Sequence, residues 1–277
     1  AASDVYKRQG FNYSTSDLAC IIDRVERISC DELIYVVGTP QKQHFEMVFE
    51  VASRAGFMDE RHTAKHINFG SVLDSNGQML KSREGQSVKL VDLLKESIKR
   101  ADNAISEKNP RLTGKDKDRI SKIIGIGAVK YADLSTDRTK DYVFDWDKML
   151  SFEGNTAPYL QYSHARISRI FSLSPVSRNS LTNSPIELIT QEEESLARCI
   201  VNFAESFDNS ISSMLPHKLC THIHATSSAF ATFYEACPIL KVEDKDIMKS
   251  RLALCDLTAR VISTGLELLG IQSPEIM

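Results

Sequence analysis

The sequence predicts an α/β domain followed by an all-α domain. A short, continuous apolar run at residues 33–38 (LIYVVG) lies between two stretches of helical periodicity, which is typical of a buried strand in a parallel sheet. From about residue 115 onward, strand signals become rare and apolar residues recur at helical spacing. The length of 277 residues is sufficient for about two domains.

The α/β half begins with a helix, a strand and a second helix. Apolar residues recur every three or four positions over residues 17–30, which predicts the first helix. The strand over 33–38 is rich in β-branched and aromatic residues and is predicted to be buried on both faces. Thr39 and Pro40 follow as an N-cap and a proline at the first helical position, so the second helix is predicted to run from there through about Ala55.

Polar residues follow this strand in the first turn of the second helix. Ligands of open parallel sheets bind where strands end and helices begin, and the amino end of a helix favours negative charge. Gln41 and His44 occupy that position and are therefore candidate site residues. From the spacing alone, Gln41 also fits a solvent-facing helix residue, and His44 fits a packed one.

A short polar loop farther along the chain carries the basic residues Lys81 and Arg83. Residues 66–73 and 86–94 are predicted as two short strands that flank this loop. A basic stretch is most often part of a solvated surface. The alternative is a cationic loop that binds polyphosphate, and the loop alone does not decide between the two.

The second half is predicted to be helical throughout. One apolar stripe at helical spacing contains Leu196, Cys199, Ile200, Phe203 and Phe207. A second stripe spans residues 251–269, and the segment 172–188, rich in Ser, Asn and Pro, is predicted as a loop between helices.

These patterns predict the domain organisation. The predicted segments are a cloning or sequence-assembly scar at 1–9, an α/β domain at 10–90, a helical connection at 91–153 and an all-α bundle at 154–277. The first segment is set apart because it lacks both periodicity and turn signals.

Composition excludes several classes of protein. The net charge of −3 gives no global field for nucleic acid, so any RNA contact must come from a local patch. The six cysteines are scattered without CxxC pairs, which argues against a zinc site and against a secreted disulfide framework. No apolar run approaches the roughly 18 residues that span a membrane. We expect a cytoplasmic protein with no metal site and no membrane partner.

Seven segments match one known family in the same order and at similar spacing. They are YSTSDLA at 13–19, IYVVGTPQKQHF at 34–45, HINFGSVL at 66–73, KSREG at 81–85, GAVKYADLSTDR at 127–138, FDWDKMLSFEGNTAPYLQYSHARI at 144–167 and GLELLGIQSPEIM at 265–277. On these segments the chain resembles arginyl-tRNA synthetase over residues 10–277. The resemblance implies the second half of a Rossmann-type catalytic domain, followed by a helical anticodon-binding domain. It implies an ATP-dependent ligase, with Mg²⁺, that joins L-arginine to tRNA(Arg), and a monomer when full length.

The resemblance assigns substrate roles in the α/β half. Tyr13, Asp17 and Gln41 match positions that hold the arginine side chain. A guanidinium has five donors and no acceptor, so a carboxylate with neutral acceptors around it suits the substrate. For Asp17, the alternative is compensation of the positive end of its own helix.

The same resemblance assigns nucleotide contacts and the catalytic loop. The ATP-binding positions are His44, Phe69, Gly70, Val72 and Lys81, with Gly70 expected to allow close approach of the adenine. Lys81 stands at the second lysine of the signature usually written KMSKS, where an ammonium stabilises the leaving pyrophosphate, and Arg83 assists it. Gln78 stands where the first lysine of that signature is usually found.

The resemblance places tRNA contacts in the helical half. The matching positions are Tyr159, Tyr162, Arg166, Tyr234 and Met277. Aromatic rings stack on unpaired bases, and arginine stacks on them or binds phosphate. The alternative for the two tyrosines at 159 and 162 is packing between helices. Asn155 is predicted to cap the helix that follows it.

One signature of the family is missing from the sequence. Class I synthetases hold ATP with a His-x-Gly-His type motif, and THIHA at 221–225 lies in the helical half and lacks the glycine. We therefore expect a C-terminal fragment that is inactive in aminoacylation by itself. The alternative is a non-catalytic tRNA-binding module that keeps the helical domain.

Overall fold

The computed structural model describes residues 11–74, 76–78, 89–182 and 184–277. It divides into two compact units. Residues 1–71 and 138–141 form the first, here called the α/β unit, and residues 72–137 and 142–277 form the second, the helical unit. The predicted order of an α/β part before an all-α part is confirmed.

The α/β unit has two helices packed on a pair of strands. Its elements are helix α1 (Tyr13–Glu26), strand β1 (Glu32–Gly38), a 3-10 turn (Thr39–Gln41), helix α2 (Lys42–Arg54) and strand β2 (Thr63–Phe69). The strands are parallel as predicted, with Glu32 opposite Thr63 and Gly38 opposite Phe69. The core between helices and strands contains Ile21, Leu33, Tyr35, Phe45, Val48, Ala52 and Met58.

Helix α1 begins four residues before its predicted start. Asn12 caps it, because the Asn12 Oδ1 accepts a hydrogen bond from the Thr15 amide at 2.9 Å. The helix ends at Glu26, and Ile28, which the periodicity had included, is exposed. Apolar spacing locates the buried face of a helix and leaves its ends to the capping residues.

Two details of the predicted β1–α2 connection are wrong. Strand β1 is buried on one face only, since Ile34 and Val36 are 51% and 64% exposed while Leu33 is in the core. A β-branched run predicts a strand without telling which of its faces is covered. Thr39 does not cap α2; its hydroxyl donates to the Phe69 carbonyl at 2.9 Å.

The helical unit contains the remaining described elements. They are strand β3 (Val72–Leu73), α3 (Leu90–Lys108), α4 (Gly114–Leu134), strand β4 (Tyr142–Val143), α5 (Trp146–Met149), α6 (Ala157–Leu173), a 3-10 turn (Arg178–Leu181), α7 (Gln191–Val201), α8 (Phe203–Ser213), α9 (Pro216–Ala236) and α10 (Lys245–Leu268). The two short strands pair in parallel. The predicted helix over 251–269 coincides with α10 up to its end at Leu268. Among the described residues of the predicted loop over 172–188, the 3-10 turn is the only element after α6 ends at Leu173.

Two predictions in this unit are wrong. Residues 90–94 begin helix α3 and do not form a strand; residues 86–88 lie outside the described part of the chain. A short apolar run fits either structure, and Ser97, Ala101 and Ile105, buried at four-residue spacing, decide for the helix. The stripe from Leu196 to Phe207 spans two helices, because α7 ends at Val201 and α8 begins at Phe203.

Helices α3 and α4 approach each other closely at Gly125. A Cβ atom at this position would lie 2.7 Å from the Ile98 Cα, and the Gly125 carbonyl accepts a buried hydrogen bond from the Ser97 hydroxyl at 2.7 Å. Glycine is therefore the residue that permits this helix contact.

We expect Gly125→Ala to lower the free energy of unfolding by about 1–3 kcal/mol, because the added methyl meets backbone that cannot move aside cheaply. Gly38→Ala is the matched control, since a Cβ there would meet the Pro40 Cδ at 3.7 Å and the Phe69 Cε2 at 3.8 Å, both ordinary van der Waals contacts. Urea unfolding followed by circular dichroism measures both variants. Equal stability of the two would contradict the close contact.

Candidate functional site

A hydrogen bond between side chains joins the two helices of the α/β unit. Asp17 on α1 and His44 on α2 meet with the Asp17 Oδ2 and the His44 Nε2 2.6 Å apart. Their side chains are 29% and 28% exposed, respectively. Helix α1 has no acidic residue in its first turn, and Asp17 lies beyond that turn. Compensation of the helix terminus, the alternative reading of Asp17, is therefore wrong.

The other predicted arginine-site residues lie next to this pair along the chain. Tyr13 is four residues before Asp17 on the same face of α1 and is 88% exposed. Gln41 is exposed at the end of the 3-10 turn, three residues before His44. The Asp17–His44 contact thus brings together two pairs of predicted residues from separate helices.

The end of strand β2 is fixed by residues that lie far away in the sequence. The Gly70 amide donates to the Arg138 carbonyl at 2.8 Å, and the Arg138 guanidinium donates to the Asn68 carbonyl. A Cβ atom on Gly70 would collide with the Lys140 carbonyl. The chain itself makes a close approach that requires glycine here, and the adenine contact expected of Gly70 stays a prediction.

The remaining predicted nucleotide positions are only partly described. Phe69 is 44% exposed, and its carbonyl is already bonded to the Thr39 hydroxyl. Val72 lies on β3 in the helical unit, paired with Tyr142. Lys81 and Arg83 lie outside the described residues.

A cleft of ≈ 630 Å³ opens in the helical unit between α3, α6 and α9. Its lining residues are Ile105, Lys108, Asn109, Phe152, Glu153, Tyr159, Tyr162, Ser163, Arg166, Phe230, Ala231, Glu235 and Met277. Four of the five residues predicted to contact tRNA are in this lining, namely Tyr159, Tyr162, Arg166 and Met277.

The fifth predicted residue, Tyr234, joins the others through Arg166. The guanidinium carbon of Arg166 lies 4.9 Å from the ring centroid of Tyr162 and 5.1 Å from that of Tyr234. Both tyrosines are 41% exposed, so the stack of two rings around one cation is accessible. It combines aromatic faces and positive charge at one position.

Tyr159 both lines the cleft and packs in the core. Its ring lies 5.6 Å from that of His224, and it is half-buried against the core around Tyr131. Burial lowers the pKa of His224, so its ring is neutral at neutral pH. Packing between helices, the alternative for Tyr159, is therefore part of its role.

The cleft residues that the sequence did not mark include Lys108, Asn109 and Phe152. Lys108 stacks over Phe152 with its Nζ 4.7 Å from the ring centroid, and the Asn109 amide donates to the Met277 carbonyl at 3.1 Å. Phe152 lies inside the resembling segment 144–167, which could have marked it. Nothing in the sequence connects the end of α3 with residue 277.

Asn155 is not the cap that was predicted. Thr156 is the N-cap of α6, with its Oγ1 accepting from the Tyr159 amide at 3.2 Å. The Asn155 Oδ1 instead accepts a hydrogen bond from the Tyr131 hydroxyl at 2.6 Å. Burial raises the pKa of Tyr131, so this hydroxyl stays protonated and donates.

Among the residues that the structure describes, no group of three or more His, Cys, Asp or Glu side chains is arranged to hold a metal ion. Within the same described residues, no helix is both long and apolar enough to cross a membrane.

Comparison with known families assigns both halves of the chain. Residues 4–146 match the family described as "tRNA synthetases class I (R), catalytic domain", and residues 160–277 match the "DALR anticodon binding domain". The architecture is thus that of a class I synthetase, with a catalytic part before a helical anticodon-binding part. The first match covers more than half of the 277 residues, and the chain belongs to the class I (R) tRNA synthetase family.

Individual relatives agree with this family. The chain is 45% identical over 269 residues to "Arginine--tRNA ligase" of Cellvibrio japonicus, covering 97% of this chain and 46% of the relative. It is 43% identical over 274 residues to the ligase of the same name from Photobacterium profundum, covering 99% and 47%. The chain spans about half the length of the curated relatives it matches.

Solved structures give the same result. Arginyl-tRNA synthetase from Plasmodium falciparum superimposes with a TM-score of 0.84 at 31% identity, over 97% of this chain and 45% of that one. The Thermus thermophilus arginyl-tRNA synthetase gives 0.77 at 28% identity, over 90% and 41%.

We expect Gly70→Ala to disrupt the end of β2, because its methyl would collide with the Lys140 carbonyl. The amides of Gly70 and Ser71 are bonded to the Arg138 carbonyl and the Asp141 carboxylate, and the amide exchange of residues 70 and 71 should rise about tenfold or more. Hydrogen exchange read by NMR measures this change. Gly38→Ala is the control. Unchanged exchange in Gly70→Ala would contradict the close contact between Gly70 and the Lys140 carbonyl.

Proposed function

We propose that this chain serves, in the intact protein that carries it, the ATP-dependent ligation of L-arginine to tRNA(Arg). One observation supports the proposal: in a chain of this family, Asp17 meets His44 across two helices, and Tyr13 and Gln41 lie four and three residues from them along the chain. Four of the five proposed tRNA contacts line one cleft, and the fifth, Tyr234, stacks on Arg166 of that lining. The role in translation and the scattered, unpaired cysteines support a cytoplasmic location.

The proposed reaction has two steps. A carboxylate oxygen of arginine attacks the α-phosphorus of ATP, and the bond to pyrophosphate breaks. A ribose hydroxyl of the tRNA then attacks the activated carbonyl carbon, and AMP leaves with the electron pair of the broken bond while the hydroxyl proton passes to solvent. Mg²⁺ would neutralise charge on the triphosphate, and no residue of this chain is assigned as its ligand.

Arginine recognition is assigned to three side chains. The Asp17 carboxylate supplies the negative charge, and a carboxylate matches the planar fork of a guanidinium. Tyr13 and Gln41 add neutral acceptors that fix the direction of the side chain. A lysine substrate would make a single-point contact at the same carboxylate.

Nucleotide contacts are assigned to the strand ends and to the basic loop. Phe69, Gly70 and Val72 are proposed to contact adenine, and His44 was placed near ATP by the family resemblance. Lys81, assisted by Arg83, is proposed to stabilise the negative charge that develops on pyrophosphate. The adenine contact must use groups other than the Gly70 amide, which is already bonded within the chain.

tRNA recognition is assigned to the cleft of the helical unit. The exposed faces of Tyr162 and Tyr234 are proposed to stack on unpaired bases, with Arg166 between them supplying positive charge. Tyr159 and Met277, which also line the cleft, are proposed as further tRNA contacts. We propose domain limits at 10–90, 91–153 and 154–277, and a monomeric protein.

A second function, a non-catalytic tRNA-binding module, is favoured by one observation. Every residue of the cleft belongs to the helical unit, which has its own cores. Arginine-dependent exchange of pyrophosphate into ATP by the intact protein separates the two proposals. Its complete absence, together with tight tRNA binding, would leave only the binding module.

We expect Asp17→Ala to abolish arginine-dependent pyrophosphate exchange in the intact protein, because a guanidinium loses its only proposed charge partner. tRNA binding, measured by filter retention, should stay within about twofold, since Asp17 belongs to the α/β unit and the proposed RNA contacts belong to the helical unit. An equal loss of exchange and tRNA binding would show that Asp17 supports the fold.

We expect Tyr234→Ala to weaken tRNA binding about 5- to 150-fold, the range that corresponds to loss of roughly 1–3 kcal/mol of base stacking. Tyr234→Phe is the matched control, because it keeps the ring that stacks and loses only the hydroxyl. Filter binding at constant salt measures both variants. Equal affinities of the Ala and Phe variants would exclude a stacking role.

A further inference from the structure

We propose that His44 is a positioning residue for Asp17 and holds its carboxylate in the orientation that accepts the guanidinium of arginine. The inference rests on the proposed function, since it takes Asp17 as the arginine contact. It assigns His44 to the arginine site, whereas the family resemblance had placed this residue near ATP.

The first argument is the contact itself. The His44 Nε2 lies 2.6 Å from the Asp17 Oδ2, and the two residues come from separate helices, 27 positions apart. An ionised carboxylate accepts about four hydrogen bonds, so one bond from imidazole still leaves Oδ1 and part of Oδ2 for a substrate. The bond therefore restricts the orientation of the carboxylate and leaves its other acceptor positions available.

The second argument is that a core aromatic ring contacts the histidine ring. The His44 ring meets the edge of Phe45, with centroids 5.2 Å apart and planes at 73°. Phe45 is 4% exposed and packs against Tyr35 at 5.0 Å. A donor fixed by the core loses little side-chain entropy when it orients a neighbour, which is what a positioning residue requires.

The third argument concerns charge. The His44 contact is a single hydrogen bond at the Asp17 Oδ2, so the carboxylate keeps acceptor positions for a cationic substrate. A lysine or arginine at position 44 would form a salt bridge with Asp17 and compete with the substrate guanidinium. Both side chains are nearly three-tenths exposed, so the carboxylate is reachable while the hydrogen bond is partly shielded from water.

The consequence is a specificity for a planar cation. A carboxylate held in one plane accepts two parallel N–H groups from a guanidinium, whereas an ammonium cannot use that geometry. Loss of the His44 donor frees the carboxylate to rotate. Arginine binding then weakens more than the binding of a competing lysine.

The test measures arginine-dependent pyrophosphate exchange by the intact protein carrying His44→Leu or His44→Gln. Leucine fills similar space without a donor, and glutamine keeps an N–H at a similar reach. For His44→Leu we expect the arginine KM to rise about tenfold, the effect of losing one hydrogen bond to a charged group. The KM for ATP should stay within about twofold, lysine inhibition should change less than arginine affinity, and His44→Gln should recover most of the loss.

Other outcomes overturn the inference. A higher KM for ATP with unchanged arginine KM would assign His44 to the nucleotide. Equal effects of leucine and glutamine, with circular dichroism like that of the wild type, would mean that only the imidazole shape matters.

A double-mutant cycle with Asp17→Asn separates this inference from the proposed function. If Asp17→Asn leaves the arginine KM unchanged, the proposed arginine site is wrong. If Asp17→Asn raises it and His44→Leu does not, only the role of His44 is wrong. Coupling predicts that His44→Leu adds less than about twofold to Asp17→Asn, and full additivity would overturn the positioning role.

Discussion

The hydrogen bond from the Gln161 side chain to the Gln272 carbonyl is the contact on which the helical cleft depends. Gln161 lies on α6, is completely buried, and donates from Nε2 at 2.7 Å. A buried amide that lacks partners costs about 1–3 kcal/mol, so the chain after α10 is directed to this side chain. Gly127 on α4 leaves the necessary space, because a Cβ there would lie 2.9 Å from the Gln161 Nε2. The same contact therefore couples α4, α6 and the end of the chain.

The position of residue 277 follows from this contact. His164, one turn after Gln161, has its Nδ1 3.0 Å from the Pro274 carbonyl, and the Asn109 amide donates to the Met277 carbonyl. The segment is thus held at successive points, and Met277 reaches the cleft wall. Helix α6 buries polar groups on the face that fixes this segment and presents aromatic groups on the face that lines the cleft.

The α/β unit uses a different constraint for its site. Parallel strands end at one edge, so the residues after β1 and β2 are brought together by the sheet alone. Their final placement depends on contacts between distant positions: Thr39 with the Phe69 carbonyl, and Arg138 with the backbone of residues 68–70. The need for glycine at position 70 and the Asp17–His44 contact both arise from residues that only the folded chain brings together.

The sequence alone determined the α/β to all-α order, the parallel strands, a helix from Pro40 to about Ala55, a helix over 251–269, and the family. Apolar periodicity and short motifs are local properties of the chain, so they can be read without the fold. Through the family resemblance the sequence also marked Tyr162, Arg166 and Tyr234 as candidate site residues, but it did not show that Arg166 stacks on both rings. The sequence did not determine where the helices end, because capping residues set those ends. It also did not determine which face of β1 is covered, because that depends on the elements packed against it. Only the tertiary structure decided the partners of Asp17, Gly70 and Met277, because each is a contact between residues far apart in sequence, and no local pattern records which distant group will meet them.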